Sequence, residues 1–248
     1  MKLVTWNCQG AFRNKYSRIA RTAPDLAVIQ ECEHPDKLKW KGLLPPPTSQ
    51  LWFGENVNRG LGIFSWSNLE FVPDECYDPS IQFCVPVKVN GSSSFNLMAI
   101  WAMQHTDPRL SYIAQVNLAI ITYRGFIEKT DTVLMGDLNS NQHQDPLARL
   151  GSHDWVVRSL ADLDMVSSYH YYYRETQGKE SQSTFFMNRK IERPFHLDYV
   201  FIPRRWLKRL AKVRVGNPQV WLKYSDHCPV FLETVEPALT NPQTSPDS

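Results

Sequence analysis

The sequence predicts an α+β layered domain whose paired β-sheets form the core. Three observations point there. Many short runs rich in Val, Ile, Leu and aromatic residues recur, each bounded by Gly, Pro, Asn or Asp. Several neighbouring runs follow one another with no helical segment between them, and few segments carry helical spacing. A plain parallel doubly wound fold would alternate the two element types throughout, and it fits less well.

The elements are justified in chain order. Lys2–Cys8, "KLVTWNC", is a strand, and Lys15–Ala23 has helix-like spacing. Leu26–Gln30 is the second strand. Leu43–Gln50, "LLPPPTSQ", is a stiff loop rather than a domain linker, because strand-like sequence resumes soon after it. Leu61–Trp66, Val85–Val89 and Phe95–Ala102 are strands. In Tyr112–Glu128 the apolar residues Ile113, Val116, Ala119, Ile120, Tyr123 and Ile127 recur at three and four, which is one face of a helix. Thr132–Met135 is a strand, and Ser159–Val166 a shorter helix. Ser168–Arg189 mixes aromatic, polar and basic residues with no period and reads as a loop. His196–Ile202, Lys212–Val215 and Pro229–Val235 are the last strands. Residues 236–248 are rich in Pro, Ser and Thr without apolar periodicity, so a disordered tail is expected after one domain spanning 1–235.

At 248 residues, 42% of them hydrophobic, the chain can bury one large core. A formal charge of +2 does not by itself mark a nucleic-acid binder, so the distribution of Lys and Arg matters more than their sum. Five cysteines, with no CxxC pair, cannot all close within the chain, which favours a reducing compartment. With no secretory leader and no apolar run of membrane-spanning length, a soluble, cytoplasmic, monomeric protein is expected.

The residues that end the strands carry the functional signal. Asn7 ends the first strand in "TWNCQG", and Glu31 follows "AVIQ". Asp137 and Asn139 follow "TVLM", Asp198 sits in "HLDYVFIP", and Asp226 with His227 precedes "PVFL". A carboxylate at the mouth of a buried strand costs several kcal/mol unless it has a partner, on the order of the desolvation penalty for an unpaired ion. If these ends converge on one rim, they form a cleft of carboxylates, amides and one imidazole. Clustered carboxylates repel unless a cation neutralises them, and hard oxygen donors suit Mg²⁺ or Mn²⁺ rather than Zn²⁺. Phosphoester hydrolysis is the chemistry that follows.

The motifs "TWNCQG", "VIQECE", "LMGDLNS", "HLDYVF" and "YSDHCPV", in this order from Thr5 to Val230, resemble the endonuclease/exonuclease/phosphatase superfamily with its DNase I-like fold. The resemblance implies a four-layered α/β/β/α sandwich, two mixed sheets face to face with helices outside and the active site at one rim. It implies Glu31 as principal metal ligand with Asn7 beside it, and Asp226 at the same or a second metal position. Asp137 would deprotonate the attacking water and Asn139 would hold the phosphate or the water in line. His227 would face the scissile phosphate with its ring fixed by Asp198. A further phosphate contact would come from Trp101 or His105, and Arg109 could add a cation.

Lys and Arg concentrate between Arg189 and Arg214, next to the strand carrying Asp198, which favours a polyanionic substrate. The aromatic loop, with Tyr172, could stack exposed bases or a flipped nucleotide, and could equally cap a small phosphorylated molecule. A nuclease acting on DNA or RNA is therefore preferred over a hydrolase of a small phosphoester, and over a catalytically silent phosphate-binding module, since no member of the acidic and imidazole set is missing. His34, His143, His153 and His170 read as surface residues, His196 as a possible cleft residue, and Cys8 and Cys228 as packed core.

Overall fold

The computed structural model describes residues 1–40, 45–145 and 151–235. The tail expected over 236–248 and the first residues of the Leu43–Gln50 loop lie outside them. The chain runs through β1 (Lys2–Asn7), α1 (Tyr16–Ala20), β2 (Leu26–Cys32), β3 (Ser49–Asn56), β4 (Arg59–Ser65), β5 (Glu70–Pro73), β6 (Cys84–Asn90) and β7 (Phe95–Trp101). Then follow α2 (Ile113–Thr122), α3 (Arg124–Lys129), β8 (Thr132–Asp137), α4 (His153–Asp162), β9 (Met165–Ser167) and α5 (Ser168–Tyr173). The last elements are β10 (Phe185–Phe186), β11 (Pro194–Phe195), β12 (Asp198–Pro203), β13 (Leu210–Val215), α6 (Pro218–Trp221) and β14 (Val230–Thr234).

The strands build two six-stranded mixed sheets, ordered β13-β14-β1-β2-β4-β3 and β5-β6-β7-β8-β12-β9, while β10 and β11 form a separate hairpin. In the first sheet β1 lies parallel to β2 and antiparallel to β14. In the second, β8 lies parallel to β7 and antiparallel to β12. The sheets pack face to face through their central strands, β1 and β2 against β8 and β12.

Period-two alternation decides what each face of the second sheet buries. Leu97, Ala99 and Trp101 on β7, Val133 and Met135 on β8, and Val200 and Ile202 on β12 enter the core between the sheets. Their neighbours Met98, Ile100, Leu134, Tyr199 and Phe201 enter a second core on the outer face, under Ile113, Val116 and Ile120 of α2 and Val156 and Leu160 of α4. On the first sheet Trp6 packs outward against Phe12 and Trp221, so the outer face is covered by the α1 region and α6. The result is the α+β sandwich that the sequence predicts. Among the described residues no helix is long and apolar enough to cross a membrane.

Gly136 shows how tightly the second sheet is drawn together. Its φ is +150°, and a Cβ there would stand 1.9 Å from the Ile100 carbonyl oxygen on β7. Only a residue without a side chain fits beside that strand.

The structure differs from the sequence reading in several elements. The helix expected over Ser159–Val166 begins earlier and ends at Asp162, capped by the Ser152 hydroxyl accepting from Trp155 N, and Met165–Ser167 pairs with β12 instead. The long helix over Tyr112–Glu128 breaks at Tyr123 into α2 and α3. Ser168–Tyr173, expected to be loop, is helical. The strands that went unread are β3, β5, β9 and the β10–β11 pair. Both β3 and β5 are edge strands with exposed, polar residues, and β5 carries a Pro that reads as a breaker.

Candidate active site

Asp198 and Asp137 are directly paired across the antiparallel β12–β8 ladder. Each shares the parity of the residues that fill the core between the sheets, so both carboxylates point between the sheets at one rim and are fully buried. Asn7, at the end of β1, approaches from the opposite sheet. Its Nδ2 lies 3.0 Å from Asp137 Oδ2 and 3.2 Å from Glu31 Oε1, so one amide joins the two sheets' acids. Asn139 closes the other side of Asp137. Its backbone N–H donates to Asp137 Oδ1 at 2.9 Å, and its Nδ2 donates to the Ala102 carbonyl at 2.9 Å.

His227 stands beside the two aspartates. Its Nδ1 donates to Asp198 Oδ2 at 2.8 Å, and its Nε2 lies 3.9 Å from Asp137 Oδ2. Asp137, Asp198 and His227 each offer a ligand atom within 4.8 Å of the others. The backbone that holds His227 is itself held. Trp6 Nε1 donates to the His227 carbonyl at 2.9 Å, and the Ser225 hydroxyl accepts from His227 N at 3.0 Å while donating to the Asn7 carbonyl at 2.7 Å. Phe185 pairs with His227 as an isolated bridge and packs its ring against the imidazole at 4.7 Å. Thr184 ties this segment to β12: its hydroxyl accepts from Leu197 N and Asp198 N, and its carbonyl accepts from Cys228 N.

Burial and charge act together on these groups. For Asp137, burial raises the pKa most, His227 lowers it and Asp198 raises it again, with a net rise from 3.8 to about 7. For His227, burial opposes the charged form, but Asp198, Asp137 and Asp226 outweigh it and raise the pKa from 6.5 to about 10. An imidazolium thus persists at neutral pH beside a carboxylate poised to take a proton. Burial pushes the thiols of Cys8 and Cys228 up to about 12, which removes both as nucleophiles.

Glu31 and Asp226 form the outer half of the cluster. Asp226 Oδ2 accepts from Gln9 Nε2 at 2.8 Å, and Arg189 Nε donates to Gln9 Oε1 at 3.0 Å. Burial raises the Asp226 pKa, His227 lowers it, and Glu31 raises it, so these two carboxylates repel each other. Asp198 Oδ1 is buried with no hydrogen-bond partner. Repelling carboxylates, whose oxygens are hard donors, fit a hard divalent cation. Arg59 lies 2.8 Å from Glu31 Oε1 and over the Trp101 ring at 5.0 Å. Gln9, Glu31, Asn139 and Arg189 are all non-glycines at positive φ, a form of backbone strain that gathers at functional sites.

A cavity of about 550 Å³ opens beside the cluster, and Glu31, Trp101, His105 and Asn139 are among the residues lining it. Trp101 is 2% exposed, with its ring between Arg59 and Phe83. His105 keeps more free surface.

Other sequence expectations fall elsewhere. Arg109 is exposed, and its guanidinium makes three hydrogen bonds with the nearby Asp107. Tyr172 lies on α5 edge-on to Tyr173, whose hydroxyl donates to the Val213 carbonyl of β13. The basic stretch divides. Arg189 stands at the cluster, but β12 carries the chain from Asp198 to Pro203, on the order of 17 Å along the strand, before Arg204 and Arg205. There Arg204 pairs with Asp164 and Arg205 with Asp131. Arg204 and Arg205 therefore sit at the far end of β12 from Asp198, and not beside the site as their place in the sequence suggests.

Of the four histidines, most of them expected at the surface, one is inside and another is half-buried. His153 is fully buried, and His170 pairs with Glu180 at 3.0 Å. His196 lies before β12 begins, so strand alternation does not aim it at the cleft. Its Nδ1 donates to the Gln182 carbonyl, and its ring packs on Tyr169 and Tyr199. Thr184, Phe185, Gln9 and Arg59 went unread. Each is an ordinary residue locally, and only long-range pairing gives it a place in the site.

The Endonuclease/Exonuclease/phosphatase family model matches residues 4–227. No curated protein sequence matches the chain. Among solved structures, a 3' phosphatase, NExo, from Neisseria bound to product DNA hairpin is 19% identical with a TM-score of 0.67, over 95% of this chain and 100% of that one. The 3'-5' exonuclease NExo from Neisseria meningitidis is 21% identical with a TM-score of 0.67, over 94% and 99%. The APE2 catalytic domain of Xenopus laevis is 15% identical with a TM-score of 0.67, over 94% and 91%. The family match spans the strand-end acids, the amides and the imidazole that the two sheets bring together, and the chain belongs to the endonuclease/exonuclease/phosphatase family, as a phosphoric ester hydrolase of that type.

Proposed function

We propose that the protein is a divalent-metal-dependent phosphodiester hydrolase acting on nucleic acid. The observation that carries this reading is the buried Asp137–His227–Asp198 cluster joined through Asn7 to Glu31. Glu31 and Asp226 would hold Mg²⁺ or Mn²⁺, with Asn7 beside them. When bound, the ion would neutralise charge on the phosphate and offset the repulsion between the carboxylates.

Asp137 is the general base for the attacking water, its pKa of about 7 suiting proton transfer at neutral pH. Asn139, held on Asp137 and Ala102, keeps the water or a phosphate oxygen in line. The new bond joins the water oxygen to phosphorus, and the bond to the leaving oxygen breaks. His227, charged and locked by Asp198, meets the negative charge that develops on the phosphate. His105 is a further phosphate contact.

Nucleic acid is favoured because cations stand among the acids at the rim, even though Arg204 and Arg205 are remote. Burial lowers the Lys15 pKa, and the nearby Arg189 charge lowers it further, so two cations share the edge beside Asp226. Arg59 adds a third next to Glu31. The Neisseria relative bound to product DNA hairpin supports the same substrate class. Arg109 and Tyr172 receive no role in this mechanism, since one is engaged by Asp107 and the other lies on α5, which packs on β13.

The test is a panel of abasic duplex, single-stranded DNA, RNA and small phosphomonoesters, each with Mg²⁺ or Mn²⁺ and with Asp137→Asn as control. Cleavage of nucleic acid that is lost with EDTA and in the variant is expected. Turnover of the monoesters alone would overturn the substrate class, and full activity in the variant would overturn the mechanism.

A further inference from the structure

The cavity beside Glu31 and Asn139 has a character that the hydrolytic cluster does not require. Its wall carries Tyr112, a residue 41% exposed, together with Arg59, Gln104, His105 and Thr106. The wall is preformed. Tyr112 N donates to the Met103 carbonyl at 2.9 Å, and the Ser111 hydroxyl accepts from His105 N at 3.0 Å, closing the segment from 103 to 112 on itself. Asp107 N donates to His105 Nδ1 at 2.9 Å, which leaves the ring proton on Nε2 as a free donor. Gln104 and Thr106 are exposed and bring an amide and a hydroxyl.

These groups describe a ligand. A volume of about 550 Å³ is that of a small-molecule site. An exposed phenol ring and a guanidinium plane both stack on flat, electron-rich rings. The amide, hydroxyl and imidazole N–H offer hydrogen bonds to a heterocycle's edge. Glu31 is the one carboxylate on the wall, and Arg59 covers it, so the wall does not offer the several acids that a polyamine would need. The inner end opens on Glu31 and Asn139, where the scissile phosphate would sit.

We infer that this cavity is a subsite for one unpaired nucleoside attached to the scissile phosphate, with Tyr112 as its stacking platform and Arg59 as its cation. The inference rests on the phosphodiester reading above and narrows its substrate class to nucleic acid with an unpaired nucleotide at the point of cleavage. The base stacks on Tyr112, Gln104 and Thr106 bond its edge, and Arg59 shifts between Glu31 and the nucleotide.

The test compares adenosine monophosphate with ribose phosphate, titrated into the full-length protein with Mg²⁺ by calorimetry. The nucleotide should bind about 10-fold tighter or more, the scale of one stacked base. Tyr112→Ala should erase most of that advantage, and Tyr112→Phe should retain it. Should Tyr112→Ala lose its circular dichroism signal, Gln104→Ala and Thr106→Ala, both at exposed positions, should each reduce the advantage. Equal binding of the two probes by the wild type would overturn the subsite, as would an advantage that survives in the folded variants. Hydrolysis of bis(nitrophenyl) phosphate, followed in parallel, reports on the phosphodiester reading alone. Its cleavage with no nucleoside preference sinks the subsite and spares that reading. A nucleoside preference with no diester cleaved does the reverse.

Discussion

Asn7 places one amide nitrogen 3.0 Å from Asp137 and 3.2 Å from Glu31, joining acids that belong to opposite sheets. Because Asn7 ends a strand of the first sheet and Asp137 ends a strand of the second, the relative position of the sheets sets the distance between Asp137 and Glu31. Any repacking of the core between them shifts both. This makes the site sensitive to the interior in ways that a site carried by one loop is not.

Asp137→Asn keeps the shape of the side chain but removes the proton acceptor. Hydrolysis should fall by about 10²-fold to 10⁴-fold, the usual scale for a general base. Circular dichroism should stay near the wild-type signal, since the remaining amide oxygen still accepts from Asn139 N and only the bond from Asn7 Nδ2 is lost.

Asp198→Asn should act through His227. Without the carboxylate at 2.8 Å the His227 pKa should drop from about 10, visible as an imidazole titration by NMR, and the rate should fall by about 10²-fold. An unchanged titration would remove Asp198 as the residue that charges the ring.

The pH dependence of stability has a definite sign. The folded-state pKa of His227 is raised from 6.5 to about 10, so the folded state binds its proton more tightly than the unfolded chain. The stabilisation is complete below about 6.5 and is lost as pH rises through about 10. Urea denaturation of wild type and His227→Gln should show the widest gap at the lower pH and a closing gap as pH rises.

Gly136→Ala should be strongly destabilising, by about 2 kcal/mol or more, because the new Cβ collides with the backbone of β7 at a φ that side chains rarely adopt. The denaturation midpoint should fall with an unchanged slope.

Arg189→Ala should weaken nucleic-acid binding across sequences and reduce the slope of log affinity against log salt by about 1, as expected for loss of a single phosphate contact. Arg204→Ala and Arg205→Ala, whose guanidinium groups pair with Asp164 and Asp131 at the far end of the sheet, should leave that slope unchanged.

The inner strands were legible because burial on both faces forces runs of apolar residues, as in "TVLM" and "YVFI". Where such runs stop, a polar residue stands out, and that contrast singled out Asn7, Glu31, Asp137, Asp198 and His227. Edge strands lack the contrast: Ser49–Asn56 mixes Gln, Gly and Glu with its aromatics and went unread. Thr184 was illegible for another reason. Nothing in "SQSTFF" tells that its hydroxyl meets the backbone of Asp198, because that contact depends on a chain reversal fourteen residues long. The basic stretch misled because nearness in sequence is not nearness in space when a strand intervenes.

The pairing of β1 with β14 joins Lys2 to Glu233 and Thr5 to Val230, and Trp6 grips the His227 carbonyl across the same span. An emerging polypeptide displays Asn7 first and the imidazole among the last residues of the sheet. Until the ribosome has delivered that closing segment, β1 lacks one of its two neighbours and the hydrolytic cluster has no His227. Contacts of such long sequence separation form slowly. Biosynthesis would then leave the cluster incomplete until the segment carrying His227 and β14 has been made.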